Sequence, residues 1–326
     1  MEIKISAKER RHLNFFFIAT LAWTWIIGMI PVMLGIHDTL LGEYIFVFTA
    51  GIAPSCVGVF MVFKTYTKAA RIDYFKRFIP SFKGIWYVIA YGSGYVFIMT
   101  ILLSLVLKEF PDYTMWNSFL SKPTNIILFI FFLYLYGPAN EEFGWRGYAL
   151  DKLLVNNGFL KGSLILGFIW GIWHLPWIFY ASQWQSQSFQ ISPLWFIIFI
   201  LQCMASSLII SIGYILSKRN LFTAATLHGI GNSALGLIYL RISLKGGNLA
   251  QFVIIGLGLM ILGLAYIVFG KKFKTLCAQE IRSLCEQKAE FGMLEVYADR
   301  ENTERPVIKQ AFIDEIGLNK QEDFPS

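Results

Sequence analysis

The stretch PLWFIIFILQCMASSLIISIGYIL, residues 193–216, runs for 24 residues without a charged side chain. Coiled as an α-helix rising about 1.5 Å per residue it reaches roughly 36 Å, enough to cross the ~30 Å hydrocarbon core of a bilayer. Apolar stretches of similar length recur on both sides of it, near 14–36, 43–63, 85–107, 124–150, 159–181, 221–240 and 249–270. The expected fold class is therefore all-α, a polytopic membrane helix bundle of about eight transmembrane helices. No repeat relates the two halves of the chain.

Composition agrees. The 326 residues are 56% hydrophobic and only 15% charged, where a soluble domain of this size carries roughly a quarter. Residues 1–270 carry a net charge of +9 and residues 271–326 a net −2, so the basic excess belongs to the apolar body. We therefore expect a transmembrane body over 1–270, with its polar motifs within about 120–240, and a short cytoplasmic polar tail over 271–326. The Lys and Arg residues are scattered over separate loops, which excludes a nucleic-acid-binding patch. The four cysteines include no CxxC pair, so neither a thiolate zinc site nor a disulfide framework is indicated. The apolar run from Phe15 is too long for the core of a signal peptide and reads as a retained first span.

Loop charges orient the bundle. The loop His37–Glu43 and the loop Ala181–Ser192 contain no Lys or Arg. The alternate loops hold Lys64, Lys68, Arg71, Lys76, Arg77 and Lys83, then Lys152 and Lys161, then Lys218 and Arg219, then Lys271, Lys272 and Lys274. The positive-inside bias puts both termini in the cytoplasm of a multi-pass cell-membrane protein, with Lys108, Lys122, Arg241 and Lys245 as exceptions. Residues 67–82 mix bases with Tyr74, Phe75, Phe78 and Phe82, the composition of a segment lying along the inner headgroups.

Ionisable groups inside such a body are costly and mark function by default. The fourth stretch carries Gly137-Pro138-Ala139-Asn140-Glu141-Glu142-Phe143-Gly144-Trp145-Arg146-Gly147-Tyr148. Adjacent carboxylates in an apolar setting cannot both stay ionised without a partner, because desolvation and mutual repulsion oppose the second charge. Arg146 lies one turn after Glu142 and can neutralise it, while Glu141 points about 100° away. Ion pairs at the end of a span are routine, so this cluster alone decides nothing. The fifth stretch adds Trp170-Gly171-Ile172-Trp173-His174, and the seventh adds His228 with Asn232 four residues on, facing the same way. A lone buried histidine is usually a satisfied core residue, and His228 with Asn232 could simply join helices. Three separate spans each bringing polar groups inward is harder to explain as packing.

Peptide hydrolysis needs an activated water and donors for a developing oxyanion. Glu141 and His174 can share the water, with Glu141 as base, while His228 and Asn232 supply the donors. In the alternative, Glu141, His174 and His228 ligate a zinc ion that activates the water. The same residues serve both schemes. No HExxH and no GxSxG occurs, which removes the usual single-helix zinc protease and argues against serine catalysis.

The ordered set resembles the CPBP family of intramembrane proteases, the CAAX prenyl endopeptidases and bacteriocin-processing proteins. Glu141-Glu142-x-x-x-Arg146 resembles the first family motif, WGIWHLPW around His174 is similar to the second, and His228-x-x-x-Asn232 resembles the last. Trp170 stands where the second motif usually carries Phe. The resemblance implies an endopeptidase, hence a hydrolase, acting on a membrane-anchored peptide or protein, lipidated in the case of the CAAX enzymes. It implies Glu141 as base, with His174, His228 and Asn232 completing the site and Glu142 with Arg146 supporting it. Some relatives serve bacteriocin immunity, so a non-catalytic immunity protein is one alternative. A proton-coupled transporter using Glu141, His174 and His228 as a relay is another, although the paired repeats typical of transporters are missing.

Overall fold

The computed structural model describes residues 4–95, 137–234, 273, 275–281, 283 and 296–297, with isolated positions between 97 and 131. Among them, four helical stretches are long and apolar enough to cross a membrane: Ala7–Met33, Leu40–Thr65, Pro138–Phe179 and Leu194–Leu216. These correspond to the first, second, fourth with fifth, and sixth apolar stretches of the sequence. The stretch 85–107 is described mainly at its start, 221–240 as far as Ala234, and 249–270 lies outside the described residues. Among the described residues the regular structure is helical except for a two-residue antiparallel ladder, β1 (Lys4–Ile5) with β2 (Val296–Tyr297), which the all-α expectation lacks.

Helix α1 (Ala7–Met33) starts behind Ser6, whose hydroxyl accepts the Glu9 N–H at 3.1 Å and so satisfies one of the unpaired first-turn donors. The second crossing is built from α2 (Leu40–Ile45), a π-helical turn over Phe46–Ala50 and α3 (Ala53–Thr65). Thr67 then caps α4 (Lys68–Lys76). Its Ala70 and Tyr74 and its C-cap Arg77, at helical spacing, are buried, while Lys68, Ile72 and Lys76 stay exposed. Burial pushes the Tyr74 phenol above its ordinary range, so it remains a donor and bonds the Phe143 carbonyl at 2.6 Å. A short α5 (Ile85–Ile89) follows Gly84, whose φ of +80° suits glycine.

The stretch Pro138–Phe179 is a hairpin. It comprises α6 (Pro138–Gly144), a π-helical segment Trp145–Leu150, and α7 (Asp151–Trp173), which is broken at Gly158. Gly158 adopts φ 72° and ψ 176°, a conformation that only glycine takes without strain. In one straight helix Glu141 and Trp170 would stand about 44 Å apart at ~1.5 Å per residue. They hydrogen-bond at 2.7 Å. Beyond a 3-10 turn at Leu175–Phe179 come α8 (Trp184–Ile191), α9 (Leu194–Leu216) and α10 (Leu221–Ala234).

Close backbone approach fixes α6 against α3. A Cβ on Gly58 would lie 2.8 Å from the Gly144 Cα, and one on Gly144 only 2.1 Å from the Pro54 carbonyl oxygen. Small residues at such a crossing let two helices touch where hydrophobicity alone gives little drive between them.

The structure corrects one premise of the orientation argument. Arg77, Lys152 and Arg219, counted as loop cations, are buried and ion-paired. Arg77 pairs with Asp151 at 3.0 Å, Lys152 with Glu9 at 2.6 Å, and Arg219 with Asp151 at 3.4 Å. A cation held by an internal carboxylate carries less weight as a topology signal than one left to the headgroups.

Candidate active site

Pro138 opens α6, where a missing N–H costs nothing, and Glu141 and Glu142 follow within the next turn. The helix then loosens into the π-helical segment from Trp145 to Leu150, a widening often found at functional sites. Both carboxylates face inward: Glu142 is fully buried and Glu141 is 8% exposed.

The expected ion pair forms. Arg146 Nη1 donates to Glu142 Oε1 at 2.8 Å, with both side chains wholly buried. The structure adds a partner that sequence spacing alone did not indicate: His228 Nδ1 lies 2.8 Å from the same Glu142 oxygen. A carboxylate accepts only, so that nitrogen carries the proton, and Nε2 is turned away from Glu142. Glu142 thus orients the His228 ring as well as neutralising Arg146.

Trp170 organises the rest. Its indole N–H donates to Glu141 Oε2 at 2.7 Å, a bond that Phe could not make. Its carbonyl sits 2.8 Å from His174 Nδ1, which must therefore be the protonated nitrogen, leaving Nε2 as the acceptor. The Arg146 guanidinium lies over its ring at 5.1 Å, and the His228 ring meets it edge-on with centroids 4.9 Å apart. The only hint in the sequence was the indole itself, a hydrogen-bond donor placed where the family motif usually has a plain hydrocarbon ring.

His174 ends α7 inside an aromatic enclosure. Trp173, Trp177 and Phe199 approach it with ring centroids at 4.7, 4.9 and 5.1 Å. Such a lining excludes bulk water and strengthens the polar interactions that remain. Glu141, Glu142, Arg146, His174 and His228 are thereby gathered around one tryptophan. Asn232 stands one turn beyond His228 on α10 and is exposed, outside this buried group. A shared face of α10 gives a common direction around the axis and does not give equal depth.

Two groups keep unused capacity. Glu142 Oε2, Arg146 Nε and Arg146 Nη2 are buried without a hydrogen-bond partner among the described residues. Among those residues, no three of His, Cys, Asp and Glu come close enough together to hold a metal ion. Glu141, His174 and His228 each turn one polar atom to Trp170 or Glu142 and keep the other, so these bonds orient the three side chains without deciding between the two schemes.

Comparison with known proteins bears on this arrangement. Residues 123–234, the segment that contains every side chain of the cluster, match the family described as Type II CAAX prenyl endopeptidase Rce1-like. The chain is also similar to CAAX prenyl protease 2 of Methanococcus maripaludis, 25% identical over 224 residues, which cover 67% of this chain and 82% of that relative.

Proposed function

We propose, from the premise that this chain belongs to the Rce1-like type II CAAX prenyl endopeptidase family of membrane peptidases, that it cleaves a peptide bond of a prenylated protein held at the membrane. The carrying observation is the convergence of Glu141, His174 and His228 on Trp170 inside the helical body.

Glu141 is the general base. It takes a proton from a water that also bonds His174 Nε2, and the resulting hydroxide attacks the scissile carbonyl carbon. His228, anchored through Nδ1 to Glu142, turns Nε2 toward the developing oxyanion. In the protonated state it donates there, and the charges of Glu141, Glu142, Arg146 and His228 then sum to zero. Asn232 is the second donor; because it is exposed in the free protein, bound substrate would have to close onto it. Collapse of the tetrahedral intermediate returns the proton from Glu141 to the departing amine. Donors held in a dry enclosure contribute more than they would in water, because they need no reorganisation as charge develops.

Around this site we place about eight membrane helices, with both termini and the polar tail over 271–326 in the cytoplasm. Support comes from the four apolar helical stretches together with the loop charges that remain exposed, among them Lys64, Lys68 and Lys76.

The test uses purified protein in a membrane mimic with a prenylated CAAX peptide. Wild type should cleave it, and Glu141→Gln should slow cleavage by about 10²- to 10⁴-fold, the usual contribution of a general base, with its melting temperature unchanged. Cleavage by Glu141→Gln at the wild-type rate would refute the assignment of the base.

A further inference from the structure

Outside the site, α4 and the end of α3 frame an open groove of about 650 Å³. Its lining includes three cations, Lys68, Arg71 and Lys76. The remaining lining is apolar: Phe63, Ile72, Phe75 and Ile79, all exposed. Among the described residues, no carboxylate lines it. Asp73, the acid on α4, lies 3.6 Å from Arg77 Nε on another side of the helix.

The groove is preformed, because the opposite face of α4 is anchored. Tyr74 bonds the Phe143 carbonyl, Arg77 is held by Asp151 and Tyr214, and the Leu221 N–H bonds the Arg77 carbonyl at 2.7 Å. Arg71 is likewise fixed, donating to the Phe63 carbonyl with its guanidinium 5.3 Å from the Phe63 ring. Nearby, Lys64 lies over the rings of Phe15 and Phe60 at 5.7 and 5.6 Å, the posture of a lysine bridging apolar surface and polar headgroups.

The geometry points to a binding site for one anionic phospholipid, its phosphate among Lys68, Arg71 and Lys76 and its acyl chains along Phe63, Ile72, Phe75 and Ile79. A soluble anion would satisfy the cations but leave four large apolar side chains uncovered. A zwitterionic lipid would cover those side chains but bring no net charge to three cations. An anionic lipid meets both demands.

Full-length protein is incubated in detergent with equimolar phosphatidylglycerol and phosphatidylcholine, and retained lipid is counted by native mass spectrometry. Wild type should hold one phosphatidylglycerol in preference to phosphatidylcholine. The doubly substituted K68Q/K76Q protein should lose about 25-fold in that preference, roughly fivefold for each lysine. Both lysines are exposed, so the fold should survive, as size-exclusion and melting profiles would verify. Lys76→Glu should weaken retention further than Lys76→Gln. Glycerophosphate without acyl chains should not displace the lipid. Equal retention of the two lipids, an unchanged preference in K68Q/K76Q, or displacement by glycerophosphate would each overturn the assignment.

Discussion

Glu142 and Asp151 are both wholly buried carboxylates on the same arm of the helical hairpin, each facing an arginine. Asp151 is surrounded: Oδ1 accepts the Tyr214 hydroxyl at 3.0 Å, and Oδ2 takes Arg77 at 3.0 Å and Arg219 at 3.4 Å. Glu142 loads both of its partners, Arg146 and His228, onto Oε1 and leaves Oε2 unbonded among the described residues. Burying a polar atom without a partner is costly, and a protein keeps such an atom where something is to be gained by it. The first cluster ties α4, α7 and α9 to the turn before α10. The second holds a histidine in position and keeps capacity in reserve beside Glu141.

Substitutions can break this contrast. Glu142→Gln should have the largest combined effect. It strands Arg146 in a dry interior and weakens the anchor of His228, so stability should fall by about 3–5 kcal/mol and turnover should fall with it. Adding Arg146→Leu should recover part of the stability, read as melting temperature in detergent, but not the turnover. A Glu142→Gln protein of native stability would show that the pair is not what holds this region.

Asp151→Asn should cost a comparable ~3–5 kcal/mol, because Arg77 and Arg219 lose their shared anion. Turnover per folded molecule should stay at the wild-type level. A kcat loss in the folded fraction would make the two clusters one functional unit.

Trp170→Phe removes one hydrogen bond to a carboxylate and keeps the aromatic packing. Bonds to charged groups are worth about 1.5–3 kcal/mol, so kcat should drop roughly 10- to 100-fold. KM and melting temperature should hold, which separates positioning of Glu141 from a packing role. A fall in stability without a change in kcat would reassign the indole to packing.

The smallest effect is expected at the tail. Glu280 pairs with Lys218, which is half exposed, and lies 3.9 Å from Arg219. Glu280 is buried, but Lys218 can turn to solvent and Arg219 keeps Asp151, so Glu280→Ala should cost less than Asp151→Asn, about 1–3 kcal/mol, measured as a shift in melting temperature.

Much of the site was legible beforehand because helical spacing is local physics. Glu142 and Arg146, four residues apart, could be paired on paper, and the cost of ionisable groups in apolar spans singled out Glu141, His174 and His228. Other features had no local signal. Lys152 and Arg219 read as loop cations because their partners, Glu9 and Asp151, lie 143 and 68 residues away in the chain. The exposure of Asn232, one turn from the buried His228, likewise had no local signal, because helical phase gives direction around an axis and says nothing about depth.

The sequence by itself determined the class of molecule and the short-range pairings, since both follow from apolar run length and from 3.6 residues per turn. Only the tertiary structure decided who shares Glu142, that an indole rather than a plain ring meets Glu141, and which cations are internal. Those outcomes depend on where a glycine reverses the hairpin and how closely helices without a Cβ at their crossing can approach, and distances across a bundle are not written in the spacing along any one helix.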